Sequence, residues 1–141
     1  MKLLVAIDGS KNSLRAAKYA LQLVEALREG GSITLISVHD DTALRHARRF
    51  VGKQAVTDYL RELSEEDLGE ARKLLEKAGR EHETLILTGQ VAGAIAKAAD
   101  DGKFDLLVLG SKGRGGLKDL LIGSVARRVS EISKVPVLLV K

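Results

Sequence analysis

The sequence predicts one doubly wound α/β domain, in which a parallel β-sheet carries helices on both faces. Three observations predict this class. The chain has 141 residues, the length of a single domain spanning residues 1–141. Hydrophobic residues make up 45% and charged residues 30%, as in ordinary globular proteins. Short aliphatic runs alternate with segments of helical periodicity, an order that favours right-handed crossovers between parallel strands.

Five aliphatic runs are the predicted strands. Aliphatic side chains dominate each run, a pattern typical of strands that are covered on both faces, as in parallel sheets. The runs cover residues 2–7, 33–38, 84–88, 104–109 and 135–140. Together they predict a five-stranded, Rossmann-like sheet.

Four segments between these strands show the helical spacing of apolar residues. They cover residues 14–24, 54–78, 91–99 and 124–132. The first helix is expected to end at Gly30-Gly31, because glycine is a common stop at a helix C-terminus. Within the second segment, residues 64–67 (SEED) resemble a capping box, at which a helix would restart.

Composition excludes several classes of function. The absence of cysteine rules out disulfides, thiolate metal sites and thiol catalysis. Aromatic residues are 3% with no tryptophan, so platforms for stacking nucleic-acid bases are nearly absent. The apolar runs fall short of the ~20 residues that span a bilayer, and the N-terminal run is too short for a signal peptide. We therefore expect a cytoplasmic protein that binds neither nucleic acid nor membranes, with a net charge of +4 that suits an anionic ligand.

The glycine-rich segment GSKGRGGLKDLLIGSV, residues 110–125, is the predicted binding site. It follows the fourth strand, and ligands of doubly wound sheets bind beyond the carboxyl ends of the strands. Its backbone N–H groups can form a concave anion site, and a helix starting at Gly123-Ser124 would add unpaired N–H groups and a dipole. The segment includes two adjacent glycines, Gly115 and Gly116. Its cationic side chains are Lys112, Arg114 and Lys118. The residues alone predict a nucleotide or phosphate site.

Better-known phosphate motifs do not match this segment. A P-loop has the form Gly-x-x-x-x-Gly-Lys-Ser/Thr, but Gly116 and Leu117 follow Gly115 here. The dinucleotide fingerprint Gly-x-Gly-x-x-Gly does not follow the first strand. A response-regulator receiver would need an acidic pair after the first strand, where this chain has the single Asp8. It would also need an aspartate at the end of the third strand, where this chain has Thr88.

The segment instead resembles the universal stress protein family, whose nucleotide-binding members carry Gly-2x-Gly-9x-Gly-Ser/Thr. The chain matches that motif at every spacing, through Gly110, Gly113, Gly123 and Ser124. Three longer segments are also similar to the family: residues 5–13 (VAIDGSKNS), 104–117 (FDLLVLGSKGRGGL) and 135–141 (VPVLLVK). The chain departs from the family pattern in the basic stretch after His39 and at Gln90-Val91, where many relatives have a proline.

The resemblance implies an ATP site at the carboxyl ends of the first, second and fourth strands. The glycines and the serine of the motif would hold the ribose and phosphates, and Val125 would add a backbone N–H group. Adenine and ribose would be framed by Ala6, Ile7, Asp8 and Val38. Leu109 and Arg114, next to the motif glycines, complete the expected binding set. The resemblance further implies a divalent ion, Mg²⁺ or Mn²⁺, held mainly by the phosphates and water; catalytic residues and protein metal ligands are not expected.

Structural roles compete with ligand contact at several of these positions. Asp8, through itself or Ser10, could cap the turn into the first helix. Ser124 is an N-cap candidate with or without phosphate, and Arg114 could simply be solvated. The glycines could form a plain surface turn.

The basic stretch over residues 40–53 also has two interpretations. Its charges, Arg45, His46, Arg48 and Arg49, would form either a lip over the phosphates or a solvated face. The three histidines lack the spacing of a metal site, and His39 is expected to be structural.

The last predicted strand, residues 135–140, would lie at one edge of a sheet with strand order 3-2-1-4-5. Long apolar edge strands promote aggregation unless they are covered. We therefore expect a homodimer that pairs these strands, as family members commonly do.

Three functions follow from these patterns. The first is an ATP-binding stress or regulatory module, in which the nucleotide stabilises one conformation of the loop. The second is a slow ATPase or a protein that phosphorylates itself, although no side chain is evident that would position an attacking water. The third is a module that binds AMP or cyclic AMP.

Overall fold

The computed structural model describes residues 1–114 and 121–141, which form a five-stranded parallel sheet between two layers of helices. The strands are β1 (Lys2–Ala6), β2 (Ser32–His39), β3 (His82–Thr88), β4 (Leu106–Gly110) and β5 (Val137–Val140). Their order across the sheet is β3-β2-β1-β4-β5, and each neighbouring pair is parallel. The predicted fold class and strand order are confirmed.

The helices in the described residues are α1 (Lys11–Ala26), a short α2 (Arg48–Val51), α3 (Lys53–Lys77), α4 (Val91–Asp101) and α5 (Ser124–Ile132). Of these, α1 and α3 cover one face of the sheet, and α4 and α5 cover the other. Successive side chains of a strand point to opposite faces. In β1, Leu3 and Val5 therefore enter the core beneath α1 and α3, whereas Leu4 enters the core beneath α4 and α5.

Several predicted element boundaries are wrong by a few residues. Helix α1 ends at Ala26, four residues before Gly30, because Leu27 is already in an extended conformation. Strand β5 begins at Val137 rather than at residue 135. A proline, Pro136, directly precedes it and lacks the backbone N–H group that a ladder needs.

The predicted restart within α3 is wrong, because this helix is continuous from Lys53 to Lys77. Ser64 and Asp67 fall at helical spacing with Leu60, Leu68 and Ala71, so they share the face that packs on the sheet, and both are buried. The Ser64 hydroxyl bonds the buried Ser37 hydroxyl of β2 at 3.0 Å. The polar side chains that suggested a cap are therefore interior contacts.

The described part of the chain contains no membrane-spanning candidate. None of the helices in residues 1–114 and 121–141 combines the length and the apolar composition that crossing a bilayer requires.

Candidate functional site

A cavity of about 290 Å³ opens at the carboxyl ends of β1, β2 and β4, between α4 and the start of α5. Its volume is near the lower end of the range of small-molecule sites, roughly 300–1,000 Å³. All eleven residues predicted to bind nucleotide line it: Ala6, Ile7, Asp8, Val38, Leu109, Gly110, Gly113, Arg114, Gly123, Ser124 and Val125. Residues from three strand ends and one loop thus meet in one space.

One end of the cavity is apolar. Val38, at the end of β2, lines it together with Val91 and Ile95 of α4, and all three belong to or pack against the same hydrophobic cluster. Ile95 is buried, whereas Val38 and Val91 are half-buried and present aliphatic surface to the cavity. This end has the chemistry to receive a flat, weakly polar ring.

The other end of the cavity is formed by the N-terminus of α5. Arg127 makes the first hydrogen bond along this helix, donating its N–H to the Gly123 carbonyl at 2.9 Å. The backbone N–H groups of residues 124–126 precede that bond, and all three residues line the cavity. These N–H groups, which have no partner within the helix, and the helix dipole together favour an anion.

The alternative in which Ser124 serves as the N-cap of α5 is wrong. Gly123 occupies the N-cap position of α5 and Ser124 is the first helical residue. The Gly123 N–H bonds the Ser111 carbonyl at 2.7 Å, which ties the start of α5 to the end of β4. The Ser124 hydroxyl therefore lies at the cavity without serving as a cap.

Asp8 holds the glycine loop against the end of β1. Its carboxylate accepts the Ser10 N–H at 2.9 Å and the Arg114 N–H at 3.2 Å. A Cβ on Gly113 would lie 2.8 Å from Asp8 Oδ2, a separation that requires either the loop or the carboxylate to move. The cap of α1 itself is Ser10, whose hydroxyl accepts the Ser13 N–H at 3.1 Å. Asp8 thus both organises the turn and lines the cavity.

Positive charge reaches the cavity from the loop. Lys112 and Arg114 both line it. Arg114 is not simply solvated, since its guanidinium donates to Asp67 at 2.8 Å while its side chain is 63% exposed. The other predicted loop contributors, Gly115, Gly116 and Lys118, lie outside the described residues.

Comparison with known proteins assigns the chain to a family. The model of the universal stress protein family matches residues 1–141. The chain belongs to the universal stress protein family. Universal stress protein MJ0531 of Methanocaldococcus jannaschii is 33% identical over 141 residues, which cover 99% of this chain and 81% of that protein. Universal stress protein YxiE of Bacillus subtilis is 31% identical over 147 residues, which cover 99% and 98% of the two chains.

Solved structures of other universal stress proteins share the fold. The MJ0577 protein of M. jannaschii superposes with a TM-score of 0.85 at 28% identity, over 99% of this chain and 94% of that one. A universal stress protein in complex with cAMP superposes with a TM-score of 0.67 at 27% identity, over 100% and 96% of the chains.

In this universal stress protein, six further residues line the cavity. One is Lys112, which the sequence had assigned to the anion site without placing it in the binding set. The sequence did not predict the other five, Ser13, Ile36, Val91, Ile95 and Ala126. Of these, Ile36 had a usable signal, because it shares a face with Val38 by strand alternation. Val91 and Ile95 come from α4, whose approach to the carboxyl end of β2 depends on the tertiary packing.

The sequence also missed Asp67, which lies outside the cavity lining and yet contacts a lining residue. Its carboxylate pairs with both Arg114 and His39, the latter with 2.9 Å between Asp67 Oδ2 and His39 Nε2. The signal was an acidic side chain on the apolar face of α3. His39, at the end of β2, was expected to be structural, and the structure shows it in contact with a buried side chain of α3.

The basic stretch does not form a lip over this cavity. It contains a 3₁₀ turn (Thr42–Leu44) followed by α2, and Arg45, His46, Arg48 and Arg49 are not among the residues that line the cavity. Arg48 pairs instead with Asp41. Hydrogen bonds from the Thr42 hydroxyl and N–H lower the pKa of the exposed Asp40 below its ordinary value.

Metal ligands do not cluster in the described residues. Within 1–114 and 121–141, no group of three histidine, aspartate or glutamate side chains could hold an ion.

Proposed function

We propose that this protein binds ATP in the cavity and acts as a nucleotide-responsive regulatory module of the stress response. One observation carries the proposal: the same cavity is lined by apolar side chains at Val38 and Val91 and by the N-terminus of α5 at residues 124–126. An adenine ring suits the first and phosphates suit the second. Lys112, a cationic residue whose backbone lies beside Gly123, also lines the cavity and would favour an anionic ligand.

The divalent ion of the proposed complex is Mg²⁺ or Mn²⁺, held mainly by the phosphates and water. Asp8, the carboxylate among the described lining residues, supports this arrangement because its oxygens are already used in hydrogen bonds within the protein. Asp8 already accepts two backbone N–H groups, from Ser10 and Arg114. The same engagement favours binding over rapid hydrolysis, because a carboxylate used to hold the loop is not free to orient an attacking water.

Two smaller adenine nucleotides, AMP and cyclic AMP, are the alternatives, and one comparison favours cyclic AMP. The universal stress protein solved with cAMP is 27% identical to this chain. AMP and cyclic AMP would use the apolar end of the cavity and only part of the α5 N-terminus. The proposals for ATP and for the smaller nucleotides therefore differ in the number of phosphates that the site contacts.

Equilibrium titration with ATP and Mg²⁺, AMP, and cyclic AMP tests this function. We expect saturable ATP binding with a Kd below ~100 µM, about −5.5 kcal/mol, and weaker binding of the other two. Equal affinities for ATP and AMP would show that the loop does not read the terminal phosphates. Absence of ATP binding at millimolar concentration would overturn the proposal.

We further propose that the protein is cytoplasmic and forms a homodimer through β5. The four residues of this strand are apolar and half-buried, and β5 is the last strand of the sheet. The carbonyls of Pro136 and Val140 accept N–H groups from Leu107 and Ser111, on the β4 side. Because backbone groups alternate along a strand, those of Val137 and Leu139 point to the open edge. A second β5 would satisfy them and cover the apolar side chains.

The proposed dimer predicts different effects for proline substitutions at two neighbouring positions of β5. Leu139→Pro removes an N–H group from the open edge, so we expect a folded monomer by sedimentation at ~50 µM, a concentration well above common micromolar affinities. Leu138→Pro, the matched control, removes an N–H group that faces β4, and we expect a clear loss of thermal stability. A monomeric unsubstituted protein at this concentration would contradict the dimer.

A further inference from the structure

The strongest unassigned feature of the molecule is the buried carboxylate of Asp67. Its side chain is 3% exposed in the middle of α3, and the cavity lining does not include it. Two groups satisfy it: Arg114 Nη2 at 2.8 Å from Oδ1, and His39 Nε2 at 2.9 Å from Oδ2. Removing a partner from a nearly buried charge is strongly unfavourable. The Arg114–Asp67 pair is therefore a firm contact between the glycine loop and α3.

The turn after β1 is shaped to let this pair form. The Arg114 side chain reaches Asp67 past Gly9, where the backbone φ is +80°. A Cβ on Gly9 would lie 2.5 Å from Arg114 Nη2 and 2.5 Å from Asp67 Oδ1. Glycine at this position meets both requirements, the positive φ and the open path.

Two bonds from Arg114 consequently fix the first half of the loop. Its side chain is anchored to Asp67, and its backbone N–H is anchored to Asp8 at 3.2 Å. Lys112 and Gly113, which line the cavity beside the N-terminus of α5, directly precede this doubly anchored residue. Holding binding groups in place before the ligand arrives lowers the conformational entropy lost on binding.

We propose that Asp67 is a positioning residue for phosphate recognition, which acts through Arg114 to hold the glycine loop in its binding conformation. The inference rests on the proposed nucleotide function and adds to it a specificity determinant outside the cavity. The contribution of Asp67 to nucleotide affinity would thus increase with the number of phosphates that contact the loop. Contacts at the apolar end of the cavity would not depend on it.

The nucleotide test uses Asp67→Asn, which keeps the shape of the side chain and removes its charge. We expect the ATP affinity to fall five- to tenfold and the AMP affinity to change less than twofold. The matched control is His39→Gln, which alters the other partner of Asp67 and should leave the ATP affinity within twofold. A general loss of structure would instead lower both affinities together.

A double substitution separates action through Arg114 from an independent effect. In an Arg114→Gln background, Asp67→Asn should cause no further loss of ATP affinity. Additive losses would overturn the proposal. So would tighter ATP binding by Asp67→Asn, which would mean that the ion pair competes with phosphate for Arg114.

Amide hydrogen exchange in the nucleotide-free protein tests the anchor independently of ligand. We expect exchange at Gly113 and Arg114 to accelerate at least fivefold in Asp67→Asn, with α1 amides unchanged. Should this variant not fold, Arg114→Gln breaks the same pair from its exposed side. If the unsubstituted protein bound no nucleotide, the proposed function would fail, but the exchange rates would still show whether Asp67 holds the loop. Unchanged exchange at Gly113 and Arg114 would overturn the proposal that Asp67 positions the loop.

Discussion

Replacing Gly113 with alanine is expected to lower the affinity for ATP and Mg²⁺ at least tenfold, about 1.4 kcal/mol. The added methyl group would lie 2.8 Å from Asp8 Oδ2. Turning that carboxylate away would weaken its hydrogen bonds to the N–H groups of Ser10 and Arg114. Whether the carboxylate or the loop moves, the loop beside the N-terminus of α5 is expected to shift. Calorimetric titration of the two proteins measures the difference.

A second glycine provides the control for this substitution. Gly69 lies within α3, and a Cβ there meets nothing within 4 Å. Gly69→Ala should leave ATP binding unchanged and stabilise the fold slightly, by about 0.4–1 kcal/mol, through the loss of backbone freedom in the unfolded chain. ATP binding by Gly113→Ala at the original affinity would show that the phosphates lie elsewhere.

Val38→Glu is expected to lower the affinities for ATP, AMP and cyclic AMP together, each by tenfold or more. Val38 contributes apolar surface at the opposite end of the cavity from α5. A carboxylate there would lose solvation when an adenine ring covers it, and burial of an unpaired charge is costly. This common loss contrasts with Gly113→Ala, whose effect should be largest for ATP. Competition against a fluorescent adenine nucleotide measures all three.

The control for Val38 is its neighbour across the sheet. Leu87 of β3 pairs in register with Val38, is 36% exposed and is not part of the cavity lining. Leu87→Glu therefore places the same charge on the adjacent strand without contacting the ligand. We expect unchanged nucleotide affinities for this variant. Equal losses from both variants would indicate damage to the sheet rather than contact with adenine.

The sheet was predictable because parallel strands buried on both faces carry a strong sequence signal. The run at residues 2–7 does not alternate between apolar and polar side chains, because Leu3 and Leu4 enter different cores and both are fully buried. The convergence of Asp8, Val38 and the glycine loop followed from the rule that ligands bind at the carboxyl ends of such strands. Local pattern and topology were sufficient for these features.

The role of Asp67 was not predictable, because its partners are distant in sequence. Arg114 is 47 positions away and His39 is 28 positions away. The polar run at residues 64–67 also resembles a helix cap, and only packing against β2 shows that Ser64 and Asp67 face inward. Local signals at this point favoured a helix start, and the tertiary contacts overrode them.

The proposed function requires that one cavity binds adenine at Val38 and phosphates at the N-terminus of α5. Two-dimensional ¹⁵N–¹H spectra during titration with ATP and Mg²⁺ test it most directly, residue by residue. We predict the largest shifts at the amides of Gly113 and of residues 124–126, with AMP shifting mainly Val38 and Val91. Saturable ATP binding that left residues 124–126 unmoved, and shifted the basic stretch at residues 40–53 instead, would contradict the claim.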